Sequence, residues 1–239
     1  VLDLAAYEAL RQVPDGRPVM AQRWRSLTFL HFACDPAEIQ SLLPAGLTVD
    51  TFDGRAWVGL VPFRMEGVRP LPFPAVPSLS DFPETNVRTY VHREGEEPGV
   101  WFFSLDAANG LACRIARRFF ALPYFEARMT VDESSSTVRY WSERRDEPAT
   151  LELETELGPE IGLAEPGSLE FFLVERYLLY ARRGDRLMTG RVHHAPYGLR
   201  TATVRSIKET MVGAAGMSPR PFEHVLFSSG VDVLVWPLG

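Results

Sequence analysis

Apolar and polar positions alternate along most of this chain with the period of two that marks β-strands, and helical spacing appears only in short stretches. Residues 27–34 are apolar in both alternating sets, Leu27, Phe29, His31 and Ala33 against Thr28, Leu30, Phe32 and Cys34. That pattern predicts a strand covered on both faces. A strand at 56–65 follows, then a hairpin of 86–92 and 99–105 around 94–98, and a second hairpin of 128–132 and 137–143 turning at 133–136. Strands at 186–193, 199–207, 224–227 and 231–236 complete the series. Helical spacing predicts an amphipathic helix over 4–12. Asp35 with Pro36 behind it is an N-cap followed by proline at the first helical position, opening a short helix that Pro44 ends. Ser168 caps a helix expected to run to about residue 180, with Gly184 closing it, and a short helix is expected at 211–215.

Two stretches carry more than periodicity. A basic helix with Arg114, Arg117 and Arg118 runs into Leu122-Pro123-Tyr124. Pro123 disfavours helical geometry at Leu122, so the helix stops there and a strand starts at Tyr124. The Tyr124 side chain is thereby held at a stiff junction, a suitable place for a reactive group. Between residues 66 and 83, Pro70, Pro72, Pro74, Pro77 and Pro83 are interleaved with Leu71, Phe73, Val76 and Phe82. Such a stretch is unfit for a sheet interior and too apolar for a free linker. It reads as an ordered loop over a barrel mouth, either a lid or a cover for core edges. The whole predicts an α+β fold, a mostly antiparallel β-barrel or sandwich with flanking helices, as a single domain over residues 1–239.

Composition removes several function classes. The net charge of −6 gives no electrostatic footprint for nucleic acid. The apolar runs are too short for a membrane span, no secretory signal is read, and a cytoplasmic location is expected. Cys34 and Cys113 form neither a disulfide framework nor a zinc motif and read as small core residues. His193 and His194 end a strand; neighbouring residues there face opposite sides, so at most one points inward. No metal site or cofactor is predicted. Lys208 is the chain's only lysine, in an alternating stretch that reads as a solvated strand edge.

Arg25, the strand ending at Asp35, the Leu42-Leu43-Pro44 segment, Asp50, Glu84, Leu105-Asp106, Arg117 and Pro123 follow one another in an order that resembles acetoacetate decarboxylase and its relatives. A fuller resemblance is to the DUF2071 (YqjF-like) branch of that superfamily. It is carried by Trp57-Val58-Gly59-Leu60-Val61-Pro62-Phe63, Asn86-Val87-Arg88-Thr89-Tyr90-Val91, Gly99-Val100-Trp101-Phe102-Phe103-Ser104-Leu105-Asp106, Glu175-Arg176-Tyr177 and His193-His194-Ala195-Pro196-Tyr197. The resemblance implies a pocket gathering Arg25, Glu84, the Arg114/Arg117 helix and Tyr124. Strand alternation adds His31, on the face of Arg25 in a regular strand, and His193 as further candidate polar contacts, each also readable as a satisfied structural histidine. The resemblance places Tyr124 where the decarboxylases hold their Schiff-base lysine. Tyrosine cannot form an imine, so that reaction is excluded at this position.

What remains is a carboxyl, Glu84, able to serve as general acid or base if burial raises its pKa; a phenol, Tyr124; and guanidinium groups suited to a carboxylate. These suit binding of a small anionic or carbonyl-bearing molecule, or enolisation, hydration or dehydration of a keto or hydroxy acid. They equally suit a buried ion pair of Glu84 with Arg25 that holds strand ends in a structural protein whose barrel is filled by side chains such as Trp57 and Phe102. A cavity of roughly 300 Å³ or more would favour the pocket. The decarboxylases assemble into large oligomers, so a homo-oligomer is compatible with the resemblance. Glu175 and Arg176 read as a clamp of their helix onto the barrel.

Overall fold

Long strands account for most of the chain, because period-two apolar positions and β-branched and aromatic residues recur along it. The computed structural model describes residues 4–76 and 79–239, so Pro77 of the proline-rich stretch lies outside the described residues. Helix α1 (Leu4–Arg11) is followed by strand β1 (Met20–Cys34) and the short helix α2 (Pro36–Gln40). Asp35 caps α2 by accepting a hydrogen bond from the Ala37 N–H (2.8 Å). The helix ends at Ser41, before the expected stop at Pro44. Strands β2 (Thr48–Val49), β3 (Thr51–Phe52), β4 (Arg55–Pro70), β5 (Phe82–Arg93) and β6 (Glu96–Ala107) lead to helix α3 (Gly110–Phe120). Strands β7 (Tyr124–Glu133), β8 (Thr137–Arg144) and β9 (Thr150–Gly162) come next, then α4 (Leu169–Val174). The chain finishes with β10 (Leu178–Arg183), β11 (Arg186–His194), β12 (Leu199–Glu209), α5 (Met211–Ala214) and β13 (His224–Val235).

These strands form one large, mostly antiparallel sheet with two parallel contacts, β6 with β7 and β6 with β10. The pairings β1–β4–β5–β6–β10–β11–β13–β1 close a circuit. Strands β1, β4 and β5 divide the interior into two cores. On one side lie Leu27, Phe29, Val61, Phe63 and Val233; on the other lie Leu30, Phe32, Val58, Leu60, Val87, Tyr140 and Leu151. The strand read as covered on both faces is thus covered by two different cores.

Three expectations are corrected and one strand is added. The helix expected from Ser168 to about residue 180 ends at Val174, and Tyr177 and Tyr180 are buried beside or within β10, which pairs with β11 and β6. Long-range pairing there overrides a helix-compatible local pattern. The loop expected over 66–83 is shorter, because β4 continues to Pro70 and β5 begins at Phe82. The prolines lie near strand ends, where fewer ladder hydrogen bonds are needed. The strand β9 went unread in the sequence, and the two final strands are one continuous β13. No helix among the described residues is long and apolar enough to cross a membrane.

Candidate functional site: a cavity with an unpaired acid and an unpaired guanidinium

Strand β5 places Glu84, Asn86 and Arg88 at alternate positions, so all three side chains leave the same face. They line a cavity of about 360 Å³, and opposite them in register on β4 stand Phe63, Val61 and Gly59. Gly59 leaves room there: a Cβ would lie 3.2 Å from the His31 ring and 3.4 Å from Arg88 Cγ, so those side chains would have to give way. Trp24, Leu27, Val100 and Phe102 supply more apolar wall, and α3 closes one side with Leu111, Ala112 and Ile115. Pro74, Val76, Leu79 and Ser80 of the proline-rich loop also line the cavity. That loop is tied down by Asn109, the α3 N-cap, whose Nδ2 donates to Leu79 O (2.7 Å), and by Asp81, which accepts from the Gly67 N–H (2.7 Å).

Tyr124 opens β7 after α3 ends in the left-handed residue Ala121. Its hydroxyl enters the cavity and donates to Glu84 Oε2 at 2.9 Å. Glu84 is 2 % exposed and has no cationic partner among the described residues. Burial pushes its carboxyl up to about 8; the Tyr124 hydrogen bond pulls the other way, and the nearby Asp106 adds to the rise. Tyr124 is itself driven well above the ordinary phenol range, by burial first and then by Glu84. At neutral pH the pair is therefore an uncharged acid and an uncharged phenol.

Arg88 is 9 % exposed, donates from Nη2 to Leu173 O (3.0 Å), and lies against the Phe29 and Tyr90 rings with Cζ 5.7 and 5.6 Å from their centroids. No carboxylate among the described residues comes within ion-pair distance, and its Nε has no hydrogen-bond partner. Arg176 also reaches the cavity, but its Nη1 is paired with Asp50 at 2.9 Å. Its Nη2 has no partner, nor has Asn86 Oδ1. The period-two Glu84-x-Asn86-x-Arg88 pattern was legible as a polar face, but the sequence reading left Asn86, Arg88 and Arg176 out of the site.

The other expected site residues lie elsewhere. Arg25 is turned outward by a register shift around Ser26, whose φ is 52°, and binds Asp232 (2.5 Å) and Val231 O (2.8 Å). It forms no pair with Glu84. Arg114 and Arg117 are exposed on α3; Arg117 Nε donates to Tyr124 O (2.7 Å), which fixes the backbone of the junction and not a ligand. His31 is buried behind Arg88, with Nε2 2.9 Å from Tyr90 Oη, and burial lowers its pKa well below the usual value. His193 holds the end of α1 through Arg11 O (3.1 Å), while buried His194 stacks on Tyr177 at 4.5 Å. Glu175 accepts from the Tyr197 N–H (3.1 Å) and the Tyr177 hydroxyl, so it fastens two segments without using an arginine. Both cysteines are buried and free. No cluster of three metal-ligating acids, histidines or cysteines occurs among the described residues.

The fold is that of acetoacetate-decarboxylase-like proteins. Acetoacetate decarboxylase from Legionella pneumophila superposes with a TM-score of 0.65 at 13 % identity, covering 100 % of this chain and 95 % of that one. MppR, an enduracididine biosynthesis enzyme solved with pyruvate, superposes at 0.63 and 10 % identity over 95 % and 92 %. The chain belongs to the DUF2071 family, described as an uncharacterized conserved protein, which matches residues 21–232. The uncharacterized protein YqjF of Bacillus subtilis (strain 168) is 36 % identical over 228 residues, 95 % of this chain and 94 % of that protein.

Proposed function

We propose that this protein binds a small organic acid in the cavity and that Glu84 and Tyr124 move a proton on it. The observation that carries this reading is a buried guanidinium without a carboxylate, Arg88, in the same cavity as a buried carboxyl without a cation, Glu84. An uncompensated buried charge costs several kcal/mol, and an anionic ligand would supply the missing partner. The cavity volume of about 360 Å³ favours a ligand site over a barrel filled by side chains. MppR, of the same fold, was solved with pyruvate, which is compatible with a keto acid here.

The chemistry follows from the protonation states. The Tyr124 hydroxyl would leave Glu84 and donate to the ligand's carbonyl oxygen. In its ionised fraction, which grows as pH rises toward 8, Glu84 would take a proton from the adjacent carbon, leaving an enolate held by the Tyr124 hydroxyl. It would return that proton either to the carbon or to the oxygen, interconverting keto and enol forms; the same acid–base pair could serve a hydration or dehydration. Imine chemistry is not part of the proposal, because Lys208 is exposed on β12 opposite Glu152. Borohydride with pyruvate or acetoacetate should add no mass to the chain; an adduct at Lys208 would contradict this. The direct test is a titration with keto acids in deuterated water, following exchange at the carbon beside the carbonyl by NMR. Binding with exchange that Glu84→Gln abolishes is expected. Failure of every keto and hydroxy acid to bind would overturn the proposal.

A further inference from the structure

The two unmatched groups stand at opposite ends of the polar face. Glu84 and Arg88 are four residues apart on β5, so their Cα atoms are about 13 Å apart. Arg88 has no freedom to fold back toward Glu84: Nη2 is held by Leu173 O (3.0 Å) and the guanidinium rests on Phe29 and Tyr90. Glu84 is bonded to the Tyr124 hydroxyl, and no arginine contributes to its ionisation. Between them the same face presents Asn86, whose Oδ1 has no partner, and beside it on β4 Val61 and Phe63. The middle of the cavity is therefore largely apolar.

We infer that the ligand carries its carboxylate and its reacting carbonyl at opposite ends of an apolar spacer, as in a long-chain or aryl oxo acid, and not on adjacent carbons. This rests on the function proposed above and specifies the ligand of the same cavity. The Arg88 guanidinium lies over the ring of Tyr90, the next residue on the same face and on the side away from Glu84, so a ligand that meets both groups has to bridge the length of this face. A 2-oxo or 3-oxo acid of three or four carbons is too short to reach Arg88 and Glu84 together. A cavity of about 360 Å³ is also far larger than such an acid needs.

The test is a calorimetric series on the full chain with pyruvate, acetoacetate, 4-oxopentanoate, 6-oxoheptanoate and 4-acetylbenzoate, together with the methyl ester of the tightest acid. Affinity should rise at least tenfold from pyruvate to the longest acids, and the ester should lose at least tenfold. Arg88→Gln should weaken the long acids to the level of the ester while leaving the ester unchanged. The acid–ester comparison uses the wild-type chain, so it stands even if that variant folds poorly. Equal affinity for pyruvate and the long acids would overturn the spacing while leaving an organic-acid site in place. An ester that binds as well as its acid would overturn the anionic end. No binding across the whole series would sink both this inference and the function on which it rests.

Discussion

Two acids sit side by side where β5 meets β6, on opposite faces of the sheet, and the protein treats them in opposite ways. Asp106, register partner of Thr85, faces away from the cavity and receives two hydrogen bonds from Arg144 at 2.8 and 2.9 Å. Arg144 in turn lies 3.7 Å over the Phe125 ring and adds Glu147 at 3.2 Å. Glu84, the neighbour of Thr85, faces the cavity and has a single phenol as partner. Its strand-mate Arg88 has no acid at all. The Asp106 charge is matched within the fold; on the proposed reading, the Arg88 charge is left for the ligand to match.

The largest expected effect lies on the matched side. Asp106→Asn or Arg144→Met strands the surviving partner and should cost about 3–5 kcal/mol, read as a fall in chemical-denaturation midpoint. The next effect is a pH slope from Glu84. Its folded pKa of about 8 lies above the ordinary 4.5. Between those values the folded state holds a proton that the unfolded state has released. Stability should therefore be greatest below pH 4.5 as far as this group is concerned, and should fall by about 1.4 kcal/mol per pH unit up to about pH 8. Glu84→Gln should flatten that slope in a denaturation series; an unchanged slope would place its origin elsewhere. Tyr124→Phe removes the hydrogen bond that lowers the Glu84 pKa, so the acid should titrate higher still, with a loss of about 1 kcal/mol in ligand affinity. The smallest effect belongs to Arg25→Ala, which breaks a partly exposed pair with Asp232 and should change stability by about 0–1 kcal/mol and ligand affinity not at all.

The contrast also separates what was legible in the sequence from what was not. Local chemistry was legible. Asp35-Pro36 gives a capped helix, and Pro123 ends α3 so that Tyr124 begins a strand, because each acts on its immediate neighbours. Glu84 and Tyr124 meet, although 40 residues separate them, and it was the family resemblance, not periodicity, that joined them. Arg25 was misplaced because a regular strand would keep it on the face of His31, whereas Ser26 adopts a left-handed conformation that no pattern of apolar positions announces. Asn86 and Arg88 were visible as alternate polar positions beside Glu84. Their relevance emerged only from the register, which sets Gly59 across from Arg88 and thereby makes room for its stem. The misread helix beyond Ser168 is of another kind: Tyr177 to Tyr180 fit either period, and distant strands decide.

Arg88→Met tests the central contrast most directly, through stability and ligand binding measured on the same protein. The carbonyl of Leu173 that Arg88 serves also accepts from the Tyr90 hydroxyl (2.9 Å), so removal of the guanidinium leaves no orphaned acceptor. The expected result is a protein as stable as the parent or more so that has lost its affinity for organic acids. A marked loss of stability with affinity intact would show that Arg88 serves the fold, and would contradict the assignment of this cavity to a ligand.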